Sequence, residues 1–273
     1  MQQSVAAIEQ RLALASDDTY LLCGDMIESQ FSDLAPFYDE LMIGVPYRLW
    51  ANYIQDLFRR YKVQPKSILD VACGTGNVSE TLADRGYDVT GVDLSDEMIK
   101  IAKTKSGRVD YYTQGIAQIN LDRRYDAAVS LFDSLNYVLD PAELALGMCK
   151  VNQHIEDNGL FIFDVNTIYA LENHFFDRGC MGKDSFPRYM WTSEYDHSTA
   201  ICKVDMTFEV LSEAGILRFE EVHRQRGYTL EELSGMMVDA GFELLDIFTA
   251  YKFKKPTRRS DRVFFIGRKI NKC

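Results

Sequence analysis

From residue 67 onward, short apolar runs rich in β-branched residues alternate with stretches whose apolar positions recur every three to four residues. Residues 67–73 (SILDVAC), 87–94 (YDVTGVDL), 109–114, 125–132 (YDAAVSLF) and 159–165 (GLFIFDV) read as strands. Their near-continuous apolar character suits strands covered on both faces. Between them the helical period predicts a helix over 77–85 closed by Gly86, and another capped by Ser95 with Asp96 and Glu97 in its first turn, where the helix dipole favours acids. Asp140-Pro141-Ala142-Glu143 supplies a capping aspartate, a proline and an early acid for a helix expected to run to about Asp157. Alternation with short connections defines the α/β class, a doubly wound and mostly parallel sheet.

After Asn166 the period changes to two. Residues 190–195, 200–210 and 216–226 read as strands with no helix between them, an antiparallel insertion. Thr229-Leu-Glu-Glu is a capping box for an amphipathic helix ending at Gly241, and 242–253 with 262–268 read as a closing strand pair. Before the sheet, residues 1–62 read as helices, 46–61 (PYRLWANYIQDLFRRY) clearly amphipathic. The expectation is one domain: helical cap 1–62, core 63–167, insertion and substrate lid 168–228, and closing helix and strand pair 229–273.

The 273 residues are 47% hydrophobic and 26% charged, which excludes collagen-like, disordered and disulfide-scaffold classes. A formal net charge of −11 sets the whole-molecule field against nucleic acid or an anionic membrane surface as main partner. The densest basic patch, Lys252, Lys254, Lys255, Arg258, Arg259 and Arg262, reads as a solvated loop between two strands. No apolar run approaches the roughly 20 residues that span a bilayer, and the N-terminus has no signal-peptide pattern. Cys23, Cys73, Cys149, Cys180, Cys202 and Cys273 are scattered without CxxC or Cys/His metal spacing. They read as six reduced thiols in a cytoplasmic protein without a metal.

The most informative stretch is Asp70-Val-Ala-Cys-Gly-Thr-Gly76, at the carboxyl end of the first strand. Ligands of open α/β sheets sit in the crevice there, and Gly74 and Gly76 let backbone approach one closely. A phosphate-binding P-loop needs Lys-Ser/Thr after its last glycine, whereas Asn77-Val78 follow. A dinucleotide G-x-G-x-x-G fails as well, because its third glycine falls on Ser79 or Asn77 in either alignment. Asp70 would repel a pyrophosphate; it suits a ligand bearing an ammonium group. Asp93 ends the second strand, where a carboxylate accepts both hydrogen bonds from a ribose diol. A nucleoside with free 2′ and 3′ hydroxyls and a cationic amino-acid tail is S-adenosylmethionine.

On these residues, Leu-Asp-Val-Ala-Cys-Gly-Thr-Gly followed by Gly-Val-Asp-Leu-Ser, the chain resembles the class I S-adenosylmethionine-dependent methyltransferases acting on small molecules, over roughly residues 30–268. The resemblance implies a seven-stranded sheet with an antiparallel hairpin at one edge. It further implies that Asp70 and Ala72, Cys73, Gly74 and Gly76 hold the methionine part, Asp93 the ribose, and Leu94 and Met98 one face of the adenine. Ala72 replaces the family's first loop glycine. The acid that often takes the adenine amino group is replaced by Gln114-Gly115-Ile116-Ala117, leaving backbone near Ile116 and Ala117, or the amides of Gln114 or Gln118. Phe132 and Asp133 are expected to border the cofactor, with Asn136 or Tyr137 facing substrate; core packing is the competing role for Phe132 and Tyr137. By the same resemblance Tyr38, in Phe37-Tyr38-Asp39, lies over the cofactor near the sulfonium or the substrate, and Trp50 near the methionine carboxylate.

Methyl transfer to nitrogen or oxygen is an in-line displacement helped by a base when the nucleophile must lose a proton. His223, in Glu220-Glu-Val-His-Arg-Gln-Arg, is the candidate base. The insertion offers Trp191 and Tyr195 to the substrate, with Phe208, Phe219 and the acids Glu194, Asp196, Asp205, Glu209, Glu220 and Glu221, a mix suited to an amine or sugar. The expected function is methylation of N or O on a small molecule of amino-sugar or natural-product type. A tRNA or protein methyltransferase is the alternative enzyme, though an Asn/Asp-Pro-Pro-Tyr motif is lacking, and a cofactor-binding assembly protein without turnover is the alternative class. The oligomeric state stays open, with a homodimer among the options.

Overall fold

The computed structural model describes residues 30–31, 33–179, 186–212, 215–271 and 273; the expected cap over residues 1–29, with Cys23, and also Cys180, lie outside the described residues. Two helices come first, α1 (Ala35–Leu41) and α2 (Tyr47–Arg60). The alternation follows as β1 (Ser67–Val71), α3 (Asn77–Ala83), β2 (Asp88–Asp93), α4 (Asp96–Ala102), β3 (Asp110–Thr113), β4 (Tyr125–Ser130), α5 (Pro141–Gln153) and β5 (Ile155–Asn166). Then come α6 (Ile168–Glu172), the insertion strands β6 (Arg178–Gly179), β7 (Arg188–Asp196), β8 (Ile201–Ser212) and β9 (Gly215–Arg226), and finally α7 (Leu230–Asp239), β10 (Phe242–Thr249) and β11 (Arg262–Lys269).

The main sheet has seven strands in the order β10-β11-β5-β4-β1-β2-β3. β11 runs antiparallel between β5 and β10, and β1 to β5 are parallel. Both faces are apolar because both are covered. Leu144, Met148 and Val151 of α5 with Leu233 and Met237 of α7 pack on one face. Ile54, Leu57 and Phe58 of α2, Leu82 of α3 and Ile99 of α4 pack on the other.

Local chemistry sets the helix starts. The Ser95 hydroxyl accepts the Met98 N–H at 3.2 Å, Asp140 accepts that of Ala142 at 2.9 Å, and Thr229 with Glu232 closes a capping box. Two boundaries differ from the sequence reading. α5 stops at Gln153 rather than near Asp157, because Ile155 is drawn into register with Tyr125 of β4. β10 stops at Thr249 rather than Phe253, as Tyr251 turns into the left-handed region.

The insertion is a four-stranded antiparallel sheet, β6-β7-β8-β9. Cys202, Val204, Met206, Phe208 and Val210 alternate inward along β8 and meet Leu34, at the start of α1, and Phe37 within it. On β9 the same alternation buries Phe219, then Glu221, His223 and Gln225. A strand that begins in an apolar core therefore ends by presenting polar groups to the main sheet.

One sequence expectation is corrected here. Cys149 and Cys273 are joined as a disulfide with Cα atoms 5.3 Å apart, so the reading of six reduced thiols fails at that pair. The two meet because β11 carries the C-terminus back beside α5, where Asn152 Nδ2 donates to the Asn271 carbonyl at 3.0 Å. Cys73 and Cys202 are free.

Gly76 sits at φ +81°, and a Cβ there would stand 2.3 Å from the hydroxyl of Tyr111, itself bonded to Glu80. Gly76→Ala is expected to lower stability by roughly 2 kcal/mol or more, read as a lower urea midpoint, and an unchanged midpoint would show that this loop is not fixed by its backbone.

Candidate active site

Asp70, Asp93 and Asp164 stand toward the carboxyl ends of β1, β2 and β5, and Asp133 follows β4, so the topology gathers four acids along one rim of the sheet. A cavity of about 900 Å³ opens there, large for a small-molecule site. It runs from the loop after β1 to the insertion sheet.

At one end, the 72–76 loop alternates left-handed residues, Ala72 at φ +57°, Gly74 at +57° and Gly76 at +81°. The alanine carries a steric penalty of about 1 kcal/mol that glycine would avoid. Asp93 reaches across from β2 and accepts the N–H of Gly74 at 2.7 Å and of Ser95 at 2.9 Å. Burial raises its pKa against the pull of those donors. Asp70 is 1% exposed, and burial pushes its pKa up to about 7, although the Ser79 hydroxyl donates to it at 2.5 Å. Neither carboxylate has an ion-pair partner among the described residues. Gly74 leaves open space where a Cβ would project.

Leu94, Met98 and Ile116 line the adjoining wall, Ile116 resting against Gly147 of α5. Gln114 also borders it, but its amide both donates to and accepts from the backbone of Asn120. Ala117 is buried outside the lining, which leaves the backbone of Gly115 and Ile116 facing the wall. Gly76 likewise shapes the loop from outside the lining, between Thr75 and Asn77, which do line it.

Asp39 of α1 ties that helix across the loop. It accepts from Thr75 Oγ1 at 2.6 Å and Asn77 Nδ2 at 2.8 Å and pairs with Lys105 at 2.9 Å. Tyr38, the next residue back, borders the cavity with its pKa raised by burial and by nearby acidic groups.

The floor is a turn in which Phe132 and Asp133 are both left-handed, at φ +71° and +52°. Asp164 sustains it by accepting both N–H groups, at 2.6 and 3.2 Å. Arg262 pairs with Asp133 and, at 3.0 Å, with Asp164, and Gln225 donates to Asp133 at 2.6 Å. Burial raises Asp133 and pushes Asp164 up to about 6, with Arg262 pulling both down. Arg262 is therefore a buried floor residue and not part of a solvated basic loop.

Toward the insertion, Tyr137, His223 and Trp191 line the cavity. His223 Nε2 lies 2.7 Å from Glu221 Oε2, and Nδ1 lies 3.3 Å from the Tyr137 hydroxyl. Glu221 also accepts the N–H groups of Phe31, Asp33 and Leu34 at 3.3, 2.9 and 2.7 Å. A carboxylate surrounded by donors requires Nε2 to donate too, which leaves Nδ1 as the accepting nitrogen.

Three more expected positions lie outside the lining. Trp50 is 7% exposed and packs behind Phe132 and against Tyr251, so it supports the floor from beneath. Asn136 is fully buried, donating to the carbonyls of Asn166 and Arg226 and accepting the Asn166 N–H, which occupies it in joining the two sheets. Tyr195 places its hydroxyl beside Gly227, outside the cavity. The acids Glu194, Asp196, Asp205 and Glu220 face solvent, Glu209 pairs with Arg188, and Glu221 is engaged as described, so the described residues of the insertion form no acidic wall. Asp164, Gln225 and Arg262 were missed by sequence reasoning. An acid inside GLFIFDV and the two-residue period through His223 were the available signals for the first two. Among the described residues no group of three His, Cys, Asp or Glu is set to hold a metal.

Fold and site together define an α/β protein with an acid-rimmed cavity at the carboxyl ends of its parallel strands. Residues 68–159 match the methyltransferase domain family. Over 248 residues, 88% of this chain and 99% of the relative, the chain is 32% identical to a provisionally assigned methyltransferase of Geobacillus sp. (strain WCH70). The crystal structure of an S-adenosylmethionine-dependent methyltransferase from Clostridium acetobutylicum superposes with a TM-score of 0.78 at 26% identity, covering 88% of this chain and 99% of that one. A shorter match, 30% identical over 134 residues, 48% of this chain and 56% of the relative, is to the dTDP-3-amino-3,4,6-trideoxy-alpha-D-glucopyranose N,N-dimethyltransferase of Streptomyces venezuelae. The chain belongs to the class I S-adenosylmethionine-dependent methyltransferases. Its residues fit that cofactor: Asp70 and Asp93 have no ion-pair partner among the described residues and can take a cation and hydroxyl donors, and the loop glycine leaves room for close approach.

Because the folded-state pKa of Asp70 lies above the ordinary 3.8, its protonated form favours folding. That contribution is complete at low pH and is lost as pH rises from about 4 through about 7. Asp70→Asn should flatten this part of the ligand-free stability profile and weaken S-adenosylhomocysteine binding, measured by thermal unfolding across pH and by calorimetry.

Proposed function

We propose that the protein transfers the methyl group of S-adenosylmethionine to a nitrogen or oxygen of a small molecule, with His223 as general base. The observation that carries the reading is the pairing of His223 with Glu221 on one nitrogen and Tyr137 on the other, at the end of the cavity away from Asp93. The amino-sugar N,N-dimethyltransferase named above supports a small-molecule acceptor.

The bound cofactor supplies a methyl group on a sulfonium whose displacement leaves a neutral thioether. Asp70 receives the ammonium group, Asp93 the ribose hydroxyls, and Leu94, Met98 and Ile116 the adenine ring. Tyr38, Ala72, Cys73, Phe132 and Asp133 surround the methionine part. Holding the acceptor in line in a pocket closed by α1 and Phe31 provides most of the rate, since pre-paid orientation is worth several kcal/mol. His223 Nδ1 takes the proton that the acceptor loses. Glu221 fixes the ring, and its bonds to residues 31–34 make that fixation depend on the closed N-terminal segment.

Thermal unfolding should show a raised midpoint with S-adenosylmethionine and S-adenosylhomocysteine and none with NAD, because a ligand of the native state alone stabilises by mass action. Asp93→Ala is expected to abolish cofactor binding by calorimetry; unchanged affinity would overturn the assignment of the ribose site. His223→Ala should lower turnover by about 100-fold while leaving cofactor affinity intact, and full activity would remove it as the base.

A further inference from the structure

The acceptor half of the cavity differs in chemistry from the cofactor half. Its walls are the rings of Phe31, Tyr38, Tyr137, Phe176, Tyr189 and Trp191, backed by Leu34 and Met206. The two carboxylates that act on Tyr137, Asp133 and Glu221, are both taken. Asp133 is held by Arg262 and Gln225, and Glu221 by three backbone N–H groups and His223. The cation at the rim, Arg178, lies over the ring of Phe175 at 5.0 Å. Among the described residues the insertion's other acids are exposed or paired. An ammonium-bearing acceptor entering here would lose its water and, among the described residues of the floor and the insertion, meet no unpaired carboxylate facing it.

We propose that the acceptor is a planar aromatic hydroxyl compound, its ring held among Phe31, Tyr38, Phe176 and Trp191 and its O–H directed to His223 Nδ1. This rests on the methyl-transfer reading above and narrows its substrate class. A neutral ring of this kind exchanges water for apolar and aromatic contact without an unpaired charge. Trp191 borders this space, and its indole Nε1–H is buried with no acceptor among the described residues.

The chemistry balances. The acceptor O–H bond breaks with its proton passing to His223 Nδ1, and a C–O bond forms as the methyl–sulfur bond breaks with its electron pair staying on sulfur. The positive charge thus moves from the sulfonium to the imidazolium beside Glu221, and the proton leaves to solvent when products depart. With a neutral hydroxyl acceptor the pocket holds one positive charge before and after this step, whereas an ammonium acceptor would bring a second.

The test is calorimetric titration of the full chain, saturated with S-adenosylhomocysteine, using 1-naphthol, 1-naphthylmethylamine and glucosamine. Naphthol is expected to bind at least about tenfold more tightly than either amine, and Trp191→Ala to weaken naphthol by about tenfold with S-adenosylhomocysteine affinity unchanged. Transfer of labelled methyl from S-adenosylmethionine to naphthol should give 1-methoxynaphthalene. Equal or tighter binding of either amine, no naphthol binding, or naphthol binding indifferent to Trp191→Ala overturns the proposal and leaves the methyl-transfer reading in place. Failure of S-adenosylhomocysteine to bind at all overturns that reading instead.

Discussion

Asp164 is the group on which the site geometry turns. Its carboxylate, fully buried at the end of β5, accepts the N–H groups of Phe132 and Asp133 and pairs with Arg262 of β11. Two consecutive non-glycine residues in the left-handed region cost of order 1–3 kcal/mol each, and such a turn persists only where its surroundings over-determine it. Here the determination comes from two strands on one side of β4, β5 through Asp164 and β11 through Arg262. Once the turn exists, Asp133 faces the cavity, Arg262 must balance two acids, and Gln225 extends the network into the insertion sheet. Removing Arg262 would strand two buried carboxylates, so this basic residue is held by the interior and not by solvent.

Two further carboxylates perform the matching task for the N-terminal segment. Asp39 fastens α1 to Thr75, Asn77 and Lys105 beside the cofactor loop, and Glu221 fastens residues 31–34 to the insertion sheet. The segment is thereby bound at both ends of one cavity. Phe31, resting 4.4 Å from His223 and 5.1 Å from Tyr137 between ring centroids, closes the acceptor half with an apolar face. The contacts that position the imidazole are the same ones that exclude water from it, so closure and orientation are a single event.

The cofactor end was legible in sequence because its signals are local. A strand end, a glycine loop and an acid at the next strand end are each written in a few consecutive residues, and the parallel register of β1 with β2 brings them together. Helix starts were legible for the same reason, through Ser95, Asp140 and Thr229. The errors were tertiary. Asn136 and Trp50 carry residue types that suit a site, but their surroundings use them as a joint between sheets and as a floor support. Arg262 sat among lysines that are exposed, and only the antiparallel return of β11 beside β5 takes it inside. Cys149 and Cys273 are separated by 124 positions, and no spacing rule reveals a pair made by that same return.

Charge gives the two halves of the cavity different preferences. Asp70 is buried and Asp93 half-buried, neither with an ion pair among the described residues, and desolvation raises both pKa values, Asp70 to about 7. Near neutral pH the ligand-free pocket therefore holds a proton part of the time. On the proposed placement, a cationic tail at Asp70 would favour the carboxylate and release that proton, and cofactor affinity would rise with pH across the range in which Asp70 titrates. At the other end the carboxylates are already satisfied by Arg262, Gln225 and backbone N–H groups, and a second cation gains nothing comparable. On the reading proposed, one pocket draws a positive ligand to its glycine loop and leaves a ring-lined space for the molecule to be methylated.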